Sequence, residues 1–579
     1  MLDQRNLLLA ILLSVVIIVG FQYFYEAPRM RQLAERQAAE QATALGEEPG
    51  GPSRAPGDVP ALPGAPTAPA MEAPESRAVA LEKTPRIKVD SPRLRGSISL
   101  VGGSFDDLTL TEYYETVEPD SPRITLLSPR GSNGAYYAEF GWVPADSSVS
   151  VPQGDTVWVA DSPVLRSDQP VKLTWDNGSG LRFVRQIAVD ETYMFTITQR
   201  VENKSDTAVT LYPYGLVARS GTPEGGRFGF YIHEGPVGVI NGELKEIDYD
   251  DLKEDGPFEW ASNGGWMGIK DQYWLVALVP DQEGEGKVRF IHNLRNGDDK
   301  YQVDFRRGPF TVPVGGSINV TDRLFAGAKE IRVLDSYKDE LGIERFHMAI
   351  DYTKLFFLTI PLHKVILYFD RLLGNIGLAI LLLTVLVKLA FFPLANKSYK
   401  SMSIMKKLQP KMIELREKYK DDKQKLQQEM MALYKAENAN PMSGCLPIVI
   451  QIPVFIGLYI VLLVTIEMRQ APFYGWINDL SAPDPTSVFG LFGLLPFDLP
   501  AVLSIGVWPL LMGLTMLLQF RLNPQPADPM QAKMMMMLPL FFIFLFARFP
   551  AGLVIYWTWN NLLSITQQWF IMRRAGVRT

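Results

Sequence analysis

The distribution of apolar and polar residues divides the chain into regions of different character. Residues 7–25 form a nearly unbroken apolar run of about 19 residues, which is long enough to cross ~30 Å of hydrocarbon as a helix. A cleaved signal peptide is the alternative, but the bulky aromatic residues at the far end of the run leave no small-residue cleavage site. The pattern therefore predicts an uncleaved transmembrane anchor over residues 1–25.

The next region is polar and has no run long enough to span a membrane. Residues 26–90 are rich in Ala, Pro, Glu and Gly. They predict a flexible tether, because such a segment cannot bury enough apolar surface to offset its ordering entropy. Residues 91–341 alternate with a period of two, as at Tyr193 and Phe195, and turn residues punctuate the pattern. This predicts an all-β sandwich domain, with a C-terminal helix where the spacing becomes helical after Lys329.

Long apolar runs dominate the remainder of the chain. Residues 342–373 contain a linker and an amphipathic stretch, which is typical of a helix lying in the membrane interface. Within residues 374–572, five apolar runs predict membrane-spanning helices: 376–395, 445–466, 501–520, 534–549 and 553–572. A loop at 467–500 separates the second and third of these runs. The predicted fold class is an α-helical polytopic membrane protein with six transmembrane helices, five of them forming the core, plus the all-β domain.

The polar insertion at 398–437 is basic and shows helical spacing. Leu408 and Met412 are followed by a second pair of the same kind, which predicts a hairpin of two antiparallel helices. Residues 397–437 contain 11 Lys or Arg against 6 Asp or Glu, and the tail at 573–579 is also basic. By the positive-inside rule, the hairpin and both termini are cytoplasmic and the β domain lies outside. Six hairpin lysines are candidates for docking anionic partners: Lys406, Lys407, Lys411, Lys418, Lys420 and Lys423.

Composition limits the chemistry open to the chain. The single cysteine, Cys445, excludes a disulfide framework within the chain, and the four histidines have no metal-ligand spacing. The sequence contains no glycine-rich phosphate loop and no nucleophile motif. A net charge of −6 argues against bulk nucleic-acid binding. The sequence thus predicts a protein that is not an enzyme, holds no metal or cofactor and does not bind DNA.

One lysine stands out within the predicted spans. The stretch LTVLVKLAFFPL, residues 383–394, includes Lys388, and a lysine at mid-span costs ~2.5–3.5 kcal/mol on insertion scales. Two interpretations are open: the side chain snorkels to the cytoplasmic interface, or it faces a wet cavity between spans. Thr384 lies one turn earlier on the same face, which favours the cavity. Since no acidic residue lies in the middle of a predicted span, the counter-charge is expected to arrive with a substrate.

Other spans supply polar partners for such a cavity. Gln451 lies between Pro447 and Pro453, where the prolines leave backbone carbonyls without partners and the amide itself needs a hydrogen bond in lipid. Tyr556 and Asn560 share one face of the last predicted span. These positions, together with Lys388, predict a polar interior among the core helices.

Three stretches carry a specific resemblance to a known family. They are NPMSGCLPIVIQIPVF at 440–455, MRQAPFYGWINDLSAPDP at 468–485, and DPMQAKMMMML with FPAGLVIYW between 528 and 557. They closely resemble the YidC family of bacterial membrane protein insertases, in its long Gram-negative form with a large periplasmic domain. The resemblance covers essentially residues 355–572. It implies an inner-membrane protein with a supersandwich periplasmic domain and a cytoplasm-facing hydrophilic groove formed by the five core spans.

The resemblance also implies residue roles and partners. Lys388 aligns with a groove residue that is usually arginine and that attracts acidic or polar segments of an incoming protein. Phe455, Tyr556 and Trp557 fall where family members touch the substrate helix. The predicted substrate groove comprises Lys388, Thr384, Gln451, Phe455, Tyr556 and Trp557. The implied partners are nascent inner-membrane proteins, the Sec translocon, the ribosome and targeting factors, and membrane lipids.

Two other functions stay open from the sequence. A solute transporter or channel with a periplasmic binding domain is one, although the chain has neither a detectable internal repeat nor a mid-span carboxylate. The other is a non-translocating assembly scaffold that docks partners through the hairpin and the β domain.

Overall fold

The computed structural model describes residues 75–223, 232–295, 297–420, 422–437, 446–493, 504–523 and 529–574. Several predicted features lie outside these ranges, namely the anchor at 1–25, the tether up to residue 74, Cys445 and the end of the tail at 575–579. The described chain forms a β domain followed by a region of helices.

Two sheets make up the β domain. Eleven described strands form the first: β1 (Arg86–Asp90), β2 (Leu94–Ser99), β3 (Phe105–Tyr114), β4 (Arg123–Leu127), β5 (Tyr136–Pro144), β7 (Val164–Leu165), β11 (Val209–Ser220), β14 (Phe258–Asn263), β17 (Glu285–Arg295), β18 (Asp298–Arg307) and β19 (Phe310–Val312). Nine described strands form the second: β6 (Val159–Ala160), β8 (Val171–Asp176), β9 (Leu181–Val189), β10 (Met194–Asn203), β12 (Gly235–Ile240), β13 (Glu243–Glu246), β15 (Trp266–Lys270), β16 (Trp274–Val279) and β20 (Ser317–Ala328).

The chain passes repeatedly from one sheet to the other, in places through only a few residues, as between β14 and β15. The first sheet runs β14-β17-β18-β11-β5-β3-β2-β1-β7, with β19 beside β11 and β4 beside β3. The second runs β13-β12-β15-β16-β20-β10-β9-β8-β6. Pairing is antiparallel except between β1 and β7. Chain neighbours often lie in different sheets, so the two sheets form one cooperative unit.

Alternating side chains account for the core between the sheets. In β10, Phe195 and Ile197 are fully buried and pair with Val189 and Ile187 of β9. Phe105 of the first sheet packs edge-to-face on Phe195 of the second, with ring centroids 5.3 Å apart. The predicted β-sandwich is therefore confirmed, and the period of two that predicted it is the pattern that fills the core.

A buried arginine joins the two sheets. Arg185, on β9, is 1% exposed and donates from its guanidinium to the carbonyl oxygens of Gly103 and Phe140 in the first sheet's half of the sandwich. The guanidinium also lies over the Trp158 ring, 4.8 Å from the centroid. Gly103 has φ 64° and no room for a Cβ, which would meet the Arg185 side chain. Hydrogen bonding to backbone carbonyls thus satisfies a charge that the core would otherwise exclude.

A second buried cation lies at the end of β20. The Lys329 amine is fully buried, and no hydrogen-bond partner for it is found among the described residues. Burial lowers the pKa of Lys329 to about 7, and the charge of nearby Lys270 acts in the same direction. Between this value and the ordinary 10.5, the unfolded state binds more protons than the folded state. The contribution of this site to the free energy of unfolding therefore increases as the pH rises through that window.

We expect Lys329→Met to raise the free energy of unfolding of the β domain, with the largest gain below about pH 7. In that range the folded wild-type domain must either bury the charged Lys329 amine or release its proton. The gain should shrink as the pH approaches ~10. Thermal unfolding of the full chain in detergent, followed by circular dichroism across this pH range, measures the difference. Lys172→Met, at an exposed lysine on β8, is the matched control and should give a pH-independent difference. A flat difference for Lys329→Met would contradict the argument.

Three short helices accompany the sheets: α1 (Arg77–Glu82), α2 (Tyr249–Asp255) and α3 (Ile331–Leu341). The helix predicted after Lys329 is α3. The tether predicted to run to residue 90 differs from the structure at its C-terminal end, because Ser76 caps α1 and residues 86–90 are already β1. Ile87 and Val89 explain the difference, since both are buried on the core side of the strand.

Eight helices follow among the described residues: α4 (Phe356–Leu373), α5 (Ile376–Ala390), α6 (Phe392–Lys418), α7 (Lys423–Ala436), α8 (Leu446–Val464), α9 (Val507–Leu522), α10 (Pro529–Phe546) and α11 (Ala551–Arg574). The amphipathic stretch at 342–373 contributes α4, and the predicted hairpin at 398–437 contains α7 and most of α6. Leu408 and Met412 of α6 pack there against Met430 and Leu433 of α7.

The predicted span 376–395 is not a single straight helix. It divides at Phe391 into α5 and α6, which meet at 69°. Pro393 occupies the first turn of α6, where its fixed φ suits a helix start, and it has no N–H with which to continue the hydrogen bonding of α5. The hairpin's first helix therefore begins at Phe392 rather than at 398, directly after the bend.

Two further predicted spans differ at their ends. The span predicted at 501–520 becomes α9, which starts at Val507, since residues 504–506 are not helical. The span predicted at 534–549 becomes α10, which starts earlier and ends at Phe546, ahead of Pro550. Pro550, shortly beyond the C-terminal end of α10, accounts for the end of the helix there.

A helix that crosses a bilayer alone must be both long and predominantly apolar. None of the described helices meets that requirement alone, whereas the bent pair α5 and α6 meets it jointly. Shorter apolar helices of 10–17 residues occur at Gln451–Val464, Val507–Leu522 and Lys533–Phe546.

Polar contacts join the β domain to the helical region. The Gln272 side chain donates to the Leu463 carbonyl oxygen at 2.8 Å, and Arg469 donates to the Tyr114 carbonyl oxygen at 2.6 Å. On α4, buried His363 hydrogen-bonds the Tyr352 hydroxyl at 2.7 Å. The β domain is thus held against the end of α8 and the residues after it by hydrogen bonds.

Candidate functional site

A small cavity lies between four helices at the level of Lys388. Its volume is ≈ 50 Å³, whereas one water needs roughly 10–15 Å³. Six polar residues line it, and the rest of the lining is apolar: Thr384, Lys388, Tyr399, Gln451, Tyr556 and Asn560. These side chains come from α5, α6, α8 and α11, so tertiary packing alone brings them together.

The Lys388 amine is half-buried and points into this polar group. It donates to the Ser564 hydroxyl at 2.6 Å, and Ser564 in turn donates to the Asn560 carbonyl oxygen at 2.8 Å. Among the described residues, no carboxylate oxygen lies within 4.0 Å of the amine. A lysine held by a neutral hydroxyl next to a cavity retains its capacity to bind an anion.

The two other predicted groove residues near Lys388 also line the cavity. Thr384 is 3% exposed and donates its hydroxyl proton to the Ile380 carbonyl oxygen at 2.7 Å, so its remaining capacity toward the cavity is that of an acceptor. Gln451 hydrogen-bonds the Tyr556 hydroxyl, which gives the amide the partner that an apolar surrounding demands. The cavity therefore combines one cationic donor with several neutral polar groups.

The remaining two predicted groove residues lie beside the cavity rather than in its lining. Phe455 stacks on Tyr556 with ring centroids 6.3 Å apart and meets Trp557 edge-on at 4.6 Å. Trp557 also contacts Phe546, with centroids 4.9 Å apart. The six predicted residues thus form a polar pocket with an aromatic cluster at its side, and Tyr556 belongs to both.

The six predicted hairpin lysines have different surroundings. Lys406 donates to the Leu522 carbonyl oxygen at 3.5 Å, and Lys411 pairs with Glu437 at 2.8 Å across the hairpin. The Lys418 amine lies 5.4 Å from the Tyr419 ring centroid. Lys407 and Lys420 are exposed, whereas the side chain of Lys423 is outside the described part.

The groove predicted from the sequence did not include Ser564 or Tyr399. Tyr556, Asn560 and Ser564 recur every four residues, so their spacing could have extended the polar face of α11 to Ser564. No local pattern could have found Tyr399, because its approach to the cavity depends on the bend at Phe391. Gln568, further along α11, is fully buried and donates to the Asn523 side chain at 3.0 Å.

Comparison with known proteins covers both parts of the chain. Residues 86–365 match the family described as YidC periplasmic domain, and residues 368–577 match the family described as 60Kd inner membrane protein. Membrane protein insertase YidC of Methylobacterium radiotolerans is 47% identical and is aligned over 100% of this chain and 96% of its own length. The same protein of Beijerinckia indica is 49% identical, over 100% and 97%.

A solved structure of an active YidC insertase with its first transmembrane domain resolved is also similar. It is 17% identical with a TM-score of 0.36, and the match covers 83% of this chain and 92% of that one.

The family matches assign both parts of the chain. The β-sandwich is the periplasmic domain and the helices are the membrane region of an inner-membrane protein. The resemblance noted from residues 440–557 is confirmed by relatives that match the chain from end to end, and the activity they carry is not enzymatic. The chain belongs to the YidC family of membrane protein insertases.

Proposed function

We propose that this chain inserts proteins into the membrane by receiving the hydrophilic segment of a substrate in the cavity around Lys388. One observation carries the proposal. The Lys388 amine adjoins a cavity large enough for water and has a hydroxyl, not a carboxylate, as its partner among the described residues. A cation without a resident counter-ion is costly within a membrane, and an acidic substrate segment supplies the missing charge.

The polar lining lowers the cost of desolvating that segment. A carboxylate that leaves water loses its hydration, and a charge-assisted hydrogen bond from Lys388 offsets part of the loss. Thr384 accepts from substrate amides and hydroxyls, and Gln451 both donates and accepts. The apolar distance that the segment must cross is therefore shorter than the full thickness of the bilayer.

The apolar helix of the substrate then moves past the aromatic cluster of Phe455, Tyr556 and Trp557. The partly exposed rings of Phe455 and Trp557 present an apolar surface, and buried Tyr556 packs behind them at the side of the cavity. Transfer of the helix out of water, along this surface and into lipid, is downhill by ~25 cal/mol for each Å² of apolar area removed from water. No nucleotide is needed for this step.

The proposed topology has six membrane-spanning helices with both termini and the hairpin in the cytoplasm. The excess of basic residues between 397 and 437 supports it, as does the bend at Phe391, which lets α6 leave the membrane directly after α5. In this orientation the membrane potential favours outward transfer of acidic groups by ~2.3 kcal/mol per charge per 100 mV.

The proposed partners follow from the same arrangement. Nascent inner-membrane proteins enter the groove, alone or together with the Sec translocon, and lipids receive the inserted helix. Exposed Lys407 and Lys420 on the hairpin support docking of an anionic partner such as the ribosome or a targeting factor. The periplasmic β-supersandwich supports the membrane helices through its contacts with Leu463 and Arg469.

Reconstitution into liposomes tests the function directly. Proteoliposomes that contain only this protein should insert a single-span protein with a short acidic tail, and the tail should become protected from external protease. Liposomes without protein, and liposomes with an unrelated membrane protein, should give little protection. Protection equal to that of empty liposomes would refute the proposal, and ion flux without substrate would favour a channel instead.

A further inference from the structure

Ser564 lies on α11 between the groove and the base of the hairpin. It is 2% exposed, and its hydroxyl accepts from the Lys388 amine on α5 at 2.6 Å. Tyr399, which lies on α6, also lines the cavity and is a neighbour of this hydroxyl. Three helices that are distant in the sequence thus meet near Ser564.

The Ser564 hydroxyl both donates and accepts. A serine hydroxyl has one proton to donate and two lone pairs that accept. The proton goes to the Asn560 carbonyl oxygen, which is the ordinary arrangement for a serine within a membrane helix. A lone pair accepts from the Lys388 amine. Helix packing alone explains the bond to Asn560 but gives no reason for a lysine of another helix to donate to the same oxygen.

Without this acceptor, the Lys388 side chain would have a choice of positions. Its flexible four-carbon stem lets an unsatisfied amine move toward the cytoplasmic interface. The bond to Ser564 instead keeps the amine at the cavity, where an incoming carboxylate can take it over. Since a charge-assisted bond to a carboxylate is stronger than one to a hydroxyl, the exchange favours the substrate.

The base of the hairpin holds the same assembly in place. Tyr399 is 5% exposed and packs with Met402 of α6 against Ile571 of α11. It lies two turns beyond the 69° bend, so it fixes the direction in which α6 leaves the membrane region. Ser564 therefore has a fixed geometry that depends on both the groove and the hairpin.

We propose that Ser564 is a positioning residue which holds the Lys388 amine in the groove, with Tyr399 as its brace, and so determines the preference of the insertase for acidic substrate segments. The inference rests on the proposed function, since it concerns how the groove recognises charge. It assigns a role to a hydroxyl outside the six predicted groove residues.

The test compares two substrates that differ only in tail charge. One carries an acidic tail and the other the same tail with Asn and Gln in place of Asp and Glu. The ratio of their insertion rates into proteoliposomes measures charge preference, and general damage to the protein lowers both rates without changing the ratio. We expect Ser564→Ala to reduce the ratio by about threefold to tenfold, which corresponds to the net worth of one hydrogen bond.

Conservative variants and a matched control make the result specific. Ser564→Thr keeps the hydroxyl and should restore the ratio, and Tyr399→Phe should reduce it less than Ser564→Ala. Thr566→Ala removes a comparable hydroxyl that bonds its own helix backbone on the exposed side of α11, and it should leave the ratio at the wild-type value. An unchanged ratio for Ser564→Ala, with wild type still preferring acidic tails, would overturn this inference alone. Absence of insertion by the wild type would instead overturn the proposed function.

Discussion

Replacement of Lys388 by glutamate is expected to reduce insertion of an acidic-tailed protein by roughly 100-fold or more, whereas Lys388→Arg should retain most of the activity. Two like charges ~4 Å apart repel by ~4 kcal/mol at the effective dielectric constant of a partly buried site, and the attraction of the amine is lost as well. A factor of ten corresponds to ~1.4 kcal/mol, so the combined effect spans at least two orders of magnitude. Protease-protected substrate in proteoliposomes gives the measurement.

The position of the charge, and not only its sign, should decide the result. Lys400 is exposed on α6 near the same end of the helices but does not line the cavity. Lys400→Glu is therefore the matched control, with an expected loss of less than about threefold, because water and salt screen an exposed charge. Equal activities of Lys388→Arg and Lys388→Glu would mean that the amine snorkels away from the groove and takes no part in recognition.

Local periodicity predicted those parts of the fold that local contacts determine. The alternation around Phe195 and Ile197 belongs to β10, whose alternate side chains fill the sandwich. The helical spacing of Leu408 and Met412 likewise belongs to the contact between α6 and α7. In both cases one face of one element is buried, so its spacing is readable without knowledge of the partner.

Features that join distant segments could not be predicted in this way. Lys388 and Ser564 are 176 positions apart, and only the packing of α5 on α11 brings the amine and the hydroxyl into contact. The contacts of Arg185 also could not be predicted from local pattern. The alternation of its strand places Arg185 inside the core, and there its guanidinium donates to carbonyl oxygens of the opposite half of the sandwich. A charge at a core position conflicts with the local pattern until its partners are known.

The bend at Phe391 was only partly predictable from the sequence. Pro393 is a signal of a helix start, but the apolar run continues through residues 391–394 and outweighs it when only hydropathy is considered. The structure resolves the conflict by ending α5 at Ala390, which frees α6 to turn by 69°. The consequence for the site is large, since Tyr399 reaches the cavity only because of this turn.

The loop between α8 and α9 contains a carboxylate whose importance no sequence pattern indicated. Asp484 is 9% exposed and accepts hydrogen bonds on both oxygens. Its Oδ1 accepts from the Trp476 ring nitrogen at 3.1 Å and from the backbone nitrogen and hydroxyl of Thr486 at 3.0 and 2.7 Å. Its Oδ2 accepts from the Trp508 backbone nitrogen in the first turn of α9 at 2.8 Å. One side chain therefore folds the loop and caps the helix.

We expect Asp484→Ala to destabilise the protein by about 3–5 kcal/mol, because four donors lose a charged acceptor and the N-terminus of α9 loses a favourable negative charge. Asp484→Asn keeps the three bonds of Oδ1 but turns an amide toward the Trp508 N–H, so its loss should be intermediate. Guanidinium unfolding of the detergent-solubilised chain, followed by circular dichroism, measures both. Asp339→Ala, at a carboxylate that is 71% exposed, is the matched control and should change stability by no more than ~0.5 kcal/mol. If Asp484→Ala unfolds at the same denaturant concentration as this control, the loop and α9 are held by apolar packing and not by the carboxylate.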